Sequence, residues 1–378
     1  MTSTTSTQPN TVFLGAAAGL AVVAVWVLLQ LATQGHAGFN TDSVGMHWGL
    51  PIVTYDFFLL TSTGLSMVAA LALIFGGDHC TPLVRRCIWL ALSGLAGGVA
   101  VLALELGYPL RALWAIPTSM AFSSPLFWKV WAVIAYVVVL LLLFARVNRS
   151  GWTAAAVRGL AVALLITAMA VTGLAGMVYG AMTMRPFWSS GDVPVAFIFE
   201  SLLGGVAFAI FFTYLAHGFR QDGMPERLRN LFTTLIPAVF ALAIAVHLMF
   251  VGARAIVGLY GNAEGLQVWQ HISASPLFHL EIWIGLVLPL VLMLGGSLRA
   301  SAGVQSLAAL LVMISLFIAR YDYIVGGQMV PLFKGAWAPA LIQYVPSVTE
   351  WALLLLAVFL ANVVNAFGEK TFRLSACD

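Results

Sequence analysis

Long apolar stretches separated by short polar or Gly/Pro-rich breaks dominate this 378-residue chain. An α-helix needs about 20 apolar residues to cross the hydrocarbon core of a bilayer. The pattern therefore predicts an all-α integral membrane protein with ten transmembrane helices, called spans one to ten. They are expected near 12–34, 51–76, 83–104, 124–145, 155–176, 193–216, 228–253, 277–296, 302–320 and 347–367. The polar segment before span one has no Lys or Arg, and no small-residue cleavage signal follows the span, so we expect this helix to be retained.

Composition narrows the class of protein further. Hydrophobic residues make up 61% of the chain and charged residues only 8%, against about 25% charged in a soluble domain. The net charge of +3 comes without a basic stripe, which excludes nucleic-acid binding. Cys80, Cys87 and Cys377 lack metal-ligand spacing, so we expect no metal site and no iron–sulfur cluster in this chain. Only His247 lies deep in a predicted span, so a haem held by two facing histidines is not expected either.

Lys and Arg divide unequally between the two sets of loops. Eleven fall on one set of connections and ends and six on the other, and the excess marks the cytoplasmic side. We therefore predict a multi-pass protein of the bacterial cytoplasmic membrane with both termini in the cytoplasm. The eleven are Arg85, Arg86, Arg146, Arg149, Arg158, Arg220, Arg227, Arg229, Arg299, Lys370 and Arg373; the six are Arg111, Lys129, Arg185, Arg254, Arg320 and Lys334.

The outer connections are long and rich in Trp, Pro and Gly, whereas the cytoplasmic ones are short. Long loops on one face indicate a docking surface for a partner outside the membrane. The simpler interpretation, that they only close pairs of helices, stays open. They cover residues 35–50, 105–123, 177–192, 254–276 and 321–346.

Two short motifs recur four spans apart. Ser-Pro-Leu-Phe opens span four at Ser124–Phe127 and span eight at Ser275–Phe278, while Asp56 and Glu200 follow prolines that open spans two and six. Because four is even, the repeats share one orientation. They predict two tandem four-helix bundles, spans 2–5 and spans 6–9, flanked by spans one and ten. The expected units are 1–50, 51–176, 193–320 and 321–378.

Ionisable residues inside spans are costly, so each is a candidate functional group. Asp56 should lie about 7 Å into span two, given a rise of about 1.5 Å per residue. The candidates concentrate towards the outer face, and the inner half has no comparable series of carboxylates. The others are Glu105, Arg111, Arg185, Glu200, His247, Arg254, Glu281, Arg320 and Asp322.

A quinone headgroup needs hydrogen-bond donors for its two carbonyls and a proton acceptor when the quinol is oxidised. His47, Tyr55 and Asp56, close together at the outer end of span two, match these needs. Alternatives remain for each: a loop histidine, an interfacial tyrosine and a carboxylate paired with an Arg. Further candidates for this site are Tyr179, Arg185, Trp188, Glu105 and Arg111.

The order and spacing of several motifs resemble the NrfD/polysulfide reductase family of membrane subunits. The ten-helix pattern is similar to the branch found in sulfur, nitrite, hydrogenase-linked and alternative-complex-III assemblies. The motifs are Trp48–Phe58 followed by Thr63-Gly64, Ser124–Trp128, Arg185–Trp188, Glu281–Gly285 with Pro289, and Arg320–Gln328.

This resemblance implies a quinone or quinol subunit, using menaquinone or ubiquinone, that carries no haem or iron–sulfur cluster of its own. The quinone would lie near the outer face of the first bundle, and membrane lipid would surround the helices. The implied partners are an extracytoplasmic four-cluster ferredoxin-like iron–sulfur subunit and, beyond it, a molybdopterin catalytic subunit or a multihaem cytochrome. Proton transfer could accompany the electron exchange.

One position departs from the family pattern. The histidine that holds the quinone in the eight-helix polysulfide reductase form falls on Tyr55 here. A phenol donates the same hydrogen bond but is a far weaker base at neutral pH, which leaves Asp56 or His47 as proton acceptor. The aromatic contact of the family in span five falls near Leu174, with Tyr179 as a nearby substitute. The alternative function is a secondary ion-coupled transporter, because duplicated bundles with buried charges also occur in such carriers.

The charge asymmetry predicts the membrane topology. A periplasmic-active reporter fused at Gly191 should be active and one fused at Asp378 inactive, with the opposite result for a cytoplasm-active reporter. Activity of the cytoplasmic reporter at Gly191 would contradict the assigned orientation.

Overall fold

A computed structural model describes residues 10–41, 45–76, 81–149, 151–261, 265–332, 339–372 and 374. Within these residues all regular structure is helical, and ten helices are long and apolar enough to span a membrane, which confirms the predicted fold class. Cys80, Lys334 and Cys377 lie outside the described residues. The spanning helices are α1 Asn10–Gln34, α2 Leu50–Phe75, α3 Thr81–Glu105, α4 Pro125–Val147, α5 Ala154–Gly180, α6 Val193–Ala216, α7 Leu235–Tyr260, α8 Pro276–Leu294, α9 Ala302–Gly326 and α10 Val348–Phe372.

Proline opens four of these helices. It occupies the first turn of α2, α4, α6 and α8, where its missing N–H would have no helical partner in any case. The same signal therefore sets the start of every even-numbered helix up to α8. These starts share one side of the protein, which is called the outer side after the predicted topology. Short helices at Pro109–Thr118, Glu226–Thr233 and Leu266–Ser273 lie in the connections.

Three helices extend further at their outer ends than their apolar stretches predicted. The predicted ends were 176, 253 and 320, whereas α5 ends at Gly180, α7 at Tyr260 and α9 at Gly326. Arg254 and Asp322, expected at the ends of their helices, instead lie within them. A polar residue continues a helix when protein groups surround it, and both of these face a cavity described below.

The contact between α2 and α6 lies at the centre of the helix packing. α2 is the most buried of the spanning helices, and Gly64 in its middle faces the backbone of α6. A Cβ at Gly64 would overlap the Ser201 carbonyl oxygen, and one at Gly205 would overlap the Gly64 backbone. Only glycine lets the two helices approach this closely.

Packing joins the two predicted bundles through this contact. α2 packs on α3, α5 and α6, while α6 packs on α5, α7 and α9 as well. α10 lies against α3, and α1 packs mainly on α10. The division into spans 2–5 and 6–9 stays a prediction, because α2 contacts helices of both sets.

Gly64→Ala should lower the free energy of unfolding by about 1–3 kcal/mol or more. The added methyl group would overlap backbone atoms of α6, which cannot move aside as a flexible side chain can. Thermal unfolding of the detergent-purified chain measures this effect. Gly252→Ala is the matched control, because Gly252 is also inside a spanning helix and has nothing within 4 Å of the added Cβ. Equal melting temperatures for the two variants would contradict the close α2–α6 contact.

Candidate functional site

Four buried charges from four helices form a network near the outer face. The Asp56 carboxylate in α2 is fully buried and lies 3.6 Å from Lys129 Nζ of α4 and 3.4 Å from Arg320 of α9. The other terminal nitrogen of Arg320 lies 2.5 Å from Glu200 of α6. Arg320 therefore bridges Asp56 and Glu200, the two carboxylates at corresponding positions of the predicted repeat.

Pairing allows these groups to be buried. An isolated ionised side chain in an apolar interior is very costly, and an opposite charge with good geometry offsets much of that cost. Neither Asp56 oxygen has a hydrogen bond of ordinary geometry among the described residues. The carboxylate is thus charge-paired and still able to accept a short hydrogen bond.

Aromatic rings line the network. The Lys129 ammonium lies 5.2 Å from the ring centroid of half-buried Tyr55, and the Arg320 guanidinium lies 3.9 Å from that of Phe197. Ring faces attract cations, most strongly where water is excluded. Tyr55 lies on the partly exposed side of α2.

A second group of rings covers the outer side. The Trp48 and Trp188 rings stack with centroids 5.4 Å apart, and Tyr179 packs edge-on against both. Trp188 Nε1 donates to the Tyr323 carbonyl at 2.7 Å. Tyr179 is also close enough to Asp56 and Arg320 to interact electrostatically with both. The predicted residues Tyr55, Asp56, Tyr179 and Trp188 therefore lie together.

Gln328 ties the outer loops to one another. Its Oε1 accepts from the backbone N–H groups of His47 and Trp48, each at 2.9 Å, and its Nε2 donates to the Trp48 carbonyl at 2.9 Å. Arg185 donates to the carbonyls of Gln328 and Val330 at 3.3 and 3.0 Å. Burial lowers the pKa of the Arg185 guanidinium from its usual value. Arg185 thus holds the outer loops in place and is not itself at the ion-pair network.

Three other candidates lie apart from Asp56. The His47 side chain is exposed at the outer surface. Glu105 is at the outer end of α3, where its carbonyl bonds His36 Nε2 at 2.6 Å, and Arg111 is exposed on the short helix Pro109–Thr118. Their predicted roles stay predictions, but the described contacts place none of these side chains against the network.

The remaining candidates surround a cavity of about 80 Å³ between α6, α7, α8 and α9. Neither ring nitrogen of buried His247 has a hydrogen-bond partner among the described residues. The Arg254 guanidinium lies 4.6 Å from the Tyr323 ring centroid. The cavity is lined by Glu200, His247, Arg254, Glu281 and Asp322 together with aromatic side chains.

A π-helical segment, Leu280–Val287, turns Glu281 into this cavity. Its wider turn leaves carbonyls without ordinary α-helical partners, and Ser315 Oγ donates to the Glu281 carbonyl at 3.0 Å. Pro289, which lacks an N–H, is the second residue after this segment. π-helical turns inside α-helices occur frequently at functional sites.

Sequence reasoning missed Lys129 and Gln328. Lys129 was counted as an outer-loop charge, yet it is buried in the second turn of α4. A signal was available, because Lys129 follows the repeated Ser-Pro-Leu-Phe motif as Asp56 follows Pro51. Gln328 ends the motif that begins at Arg320, but nothing in its spacing indicated a bond to the loop before α2.

The fold and the site define a multi-pass helical membrane protein with a charge network buried near its outer face. Within that class, the chain matches the family described as "Polysulphide reductase, NrfD" over residues 38–332. It belongs to this family, which confirms the resemblance seen in the motifs.

Three relatives match over most of their length. A selenate reductase subunit of Mesobacillus selenatarsenatis is 21% identical, over 93% of this chain and 94% of that protein. The Hdr-like menaquinol oxidoreductase integral membrane subunit of Archaeoglobus fulgidus is 22% identical, over 89% and 87%. Protein NrfD of Escherichia coli is 25% identical, over 68% and 86%.

Arg320→Gln should lower the melting temperature of the purified chain more than Arg254→Gln, because only Arg320 bridges two carboxylates. Breaking a buried pair costs about 3–5 kcal/mol. Adding Glu200→Gln to Arg320→Gln should recover part of the loss, since one unpaired carboxylate is removed. Equal stability of the two single variants would show that the network contributes little to the fold.

Proposed function

We propose that this protein is the quinone-reactive membrane subunit of a respiratory oxidoreductase. It exchanges electrons between the membrane quinone pool and an iron–sulfur partner at the outer face, and a proton moves with them. The carrying observation is the Tyr55–Asp56–Lys129 group, which combines a hydrogen-bond donor, a carboxylate with open acceptor positions and a cation near the outer surface. Family membership and the printed name of the archaeal menaquinol oxidoreductase relative support it.

Each residue of this group has a role suited to its chemistry. The Tyr55 hydroxyl and the Lys129 ammonium are donors for quinone carbonyl oxygens, and the Asp56 carboxylate accepts a proton. Oxidation of a quinol to a quinone releases two electrons and two protons. The Asp56 carboxylate, 3.6 Å from Lys129 and 3.4 Å from Arg320, is the proposed acceptor for one of these protons, and the other passes to water at the outer surface.

The outer surface supports a partner on that side. Gln328 fixes the loop before α2 through three hydrogen bonds, and Glu350 accepts from the backbone N–H groups of Asn40 and Ser347 at 3.2 and 2.7 Å. A surface ordered in advance loses less conformational freedom on binding. The stacked Trp48 and Trp188 rings lie between that surface and Asp56. Electron transfer from this site to a partner needs a short distance there.

Asp56→Asn should lower quinol-dependent turnover of the assembled complex by more than about tenfold, in line with the size of general acid–base contributions. Electron transfer from an artificial donor that reduces the partner directly should survive, because that route bypasses the membrane site. Asp192→Asn, at an outer-face carboxylate outside the network, is the matched control and should keep wild-type turnover. Wild-type quinol turnover in Asp56→Asn would make Asp56 a purely structural ion-pair member.

A further inference from the structure

The cavity between α6, α7, α8 and α9 is unused by the proposed quinone chemistry. Its volume of about 80 Å³ is well below the roughly 150 Å³ cavity that accepts a benzene ring. A quinone ring therefore does not fit. Several waters do, since one water needs about 10–15 Å³ of this volume.

The walls of the cavity carry more negative than positive charge. Counting the groups that line the cavity and the ion-pair network joined to it through Glu200, the carboxylates are Asp56, Glu200, Glu281 and Asp322, and the cations are Lys129, Arg254 and Arg320. Four carboxylates against three cations leave one negative charge without a partner. An uncompensated charge at this depth is costly, and a bound positive charge removes that cost.

Two side chains point to where this positive charge is held. Glu281 is 3% exposed and His247 is 5% exposed, and both face the cavity. Neither the two His247 ring nitrogens nor the Asp322 Oδ2 has a hydrogen-bond partner among the described residues. These unpartnered groups supply acceptors for hydrogen-bonded waters and for a proton.

The other groups around the cavity leave the charge count unchanged. Tyr323 of α9 and Trp269 of the short outer helix contact Arg254 through their rings. Asp192, at the start of α6, bonds Ser190 on the outer surface. Among the described residues, no three His, Cys, Asp or Glu side chains are placed to hold a metal ion. A proton therefore suits the site better than a metal cation.

A second, smaller cavity of about 10 Å³ adjoins Glu200 on its other side, lined by Thr61 and Ser201 among others. This is room for about one water. The buried Ser201 hydroxyl has no hydrogen-bond partner among the described residues. Glu200 therefore borders both cavities while it pairs with Arg320.

We propose that the cavity holds one exchangeable proton, carried by the Glu281 or Asp322 carboxyl group, and that the charge of Asp56 controls its occupancy through Arg320. When Asp56 is neutral, the carboxylates and cations balance and the proton leaves. When Asp56 is ionised, the cavity takes the proton back. The proposal rests on the proposed function only in naming Asp56 as the group that changes charge during turnover.

Infrared spectroscopy of the full chain at neutral pH tests this without any quinol. A protonated carboxyl gives a C=O stretching band that shifts in D₂O, and we expect one such band lost in Glu281→Gln and in Asp322→Asn. The decisive variant is Asp56→Asn, which lies outside the cavity and should lose the same band. Glu226→Gln, at an exposed carboxylate on the cytoplasmic side, should keep it. All variants are first compared with wild type by elution volume and thermal unfolding.

Three results would overturn the proposal. Survival of the band in folded Asp56→Asn would show that Asp56 does not control the cavity. Survival in both Glu281→Gln and Asp322→Asn would place the proton elsewhere. Loss of the wild-type band on replacing choline by sodium ions would assign the positive charge to a metal cation. None of these outcomes depends on quinol turnover, so the proposed function stands or falls separately.

Discussion

One guanidinium, that of Arg320, lies where carboxylates from α2 and α6 converge, and the outer half of the protein is arranged around this bridge. Placing two carboxylates within reach of one cation requires their helices to approach closely. The Gly64–Gly205 contact allows that approach further along the same pair of helices. Phe197 and Tyr323 then surround the guanidinium with rings instead of water, which strengthens each charge interaction by lowering the local dielectric.

The two halves of the internal repeat share positions and differ in charge. Asp56 and Glu200 occupy corresponding helices, as do α4 and α8 with their Ser-Pro-Leu-Phe openings. Near those openings α4 supplies Lys129, whereas α8 supplies Glu281 and a π-helical segment. The first half therefore has an ion pair at this position, whereas the second half has a small cavity. Under the predicted duplication, such a change would give the two halves different electrostatic environments.

Much of the fold could be predicted from the sequence because membrane insertion imposes a strong and local rule. Apolar length predicted all ten helices, with ends that differ from the observed ones by up to seven residues, and proline marked four of their starts. The rule fails at helix ends that are surrounded by protein. It predicts Arg254 and Asp322 at the ends of their helices, whereas both lie within them. Lys129 was missed for the same reason, since a charge count treats every cation as solvent-exposed.

The candidate site was predicted in part. Asp56, Tyr55, Tyr179 and Trp188 do lie together, because outer-end residues of neighbouring helices meet at one depth. Their partners were not predictable, since the bridge by Arg320 and the loop contacts of Gln328 join residues far apart in the chain. Distant pairings depend on how the helices pack, and neither periodicity nor spacing carries that information.

Two contacts join α2 and α6. Backbone packs against backbone near the middle of the two helices, and Arg320 bridges a carboxylate of each helix nearer the outer face. A carrier that alternates its access must rock one half of itself against the other. Rotation of α2 against α6 about the Gly64–Gly205 contact would separate the two carboxylates from Arg320. Sliding of one helix along the other would make their backbones clash. The two contacts thus favour a rigid protein, which suits the proposed exchange of electrons and protons better than the transporter alternative.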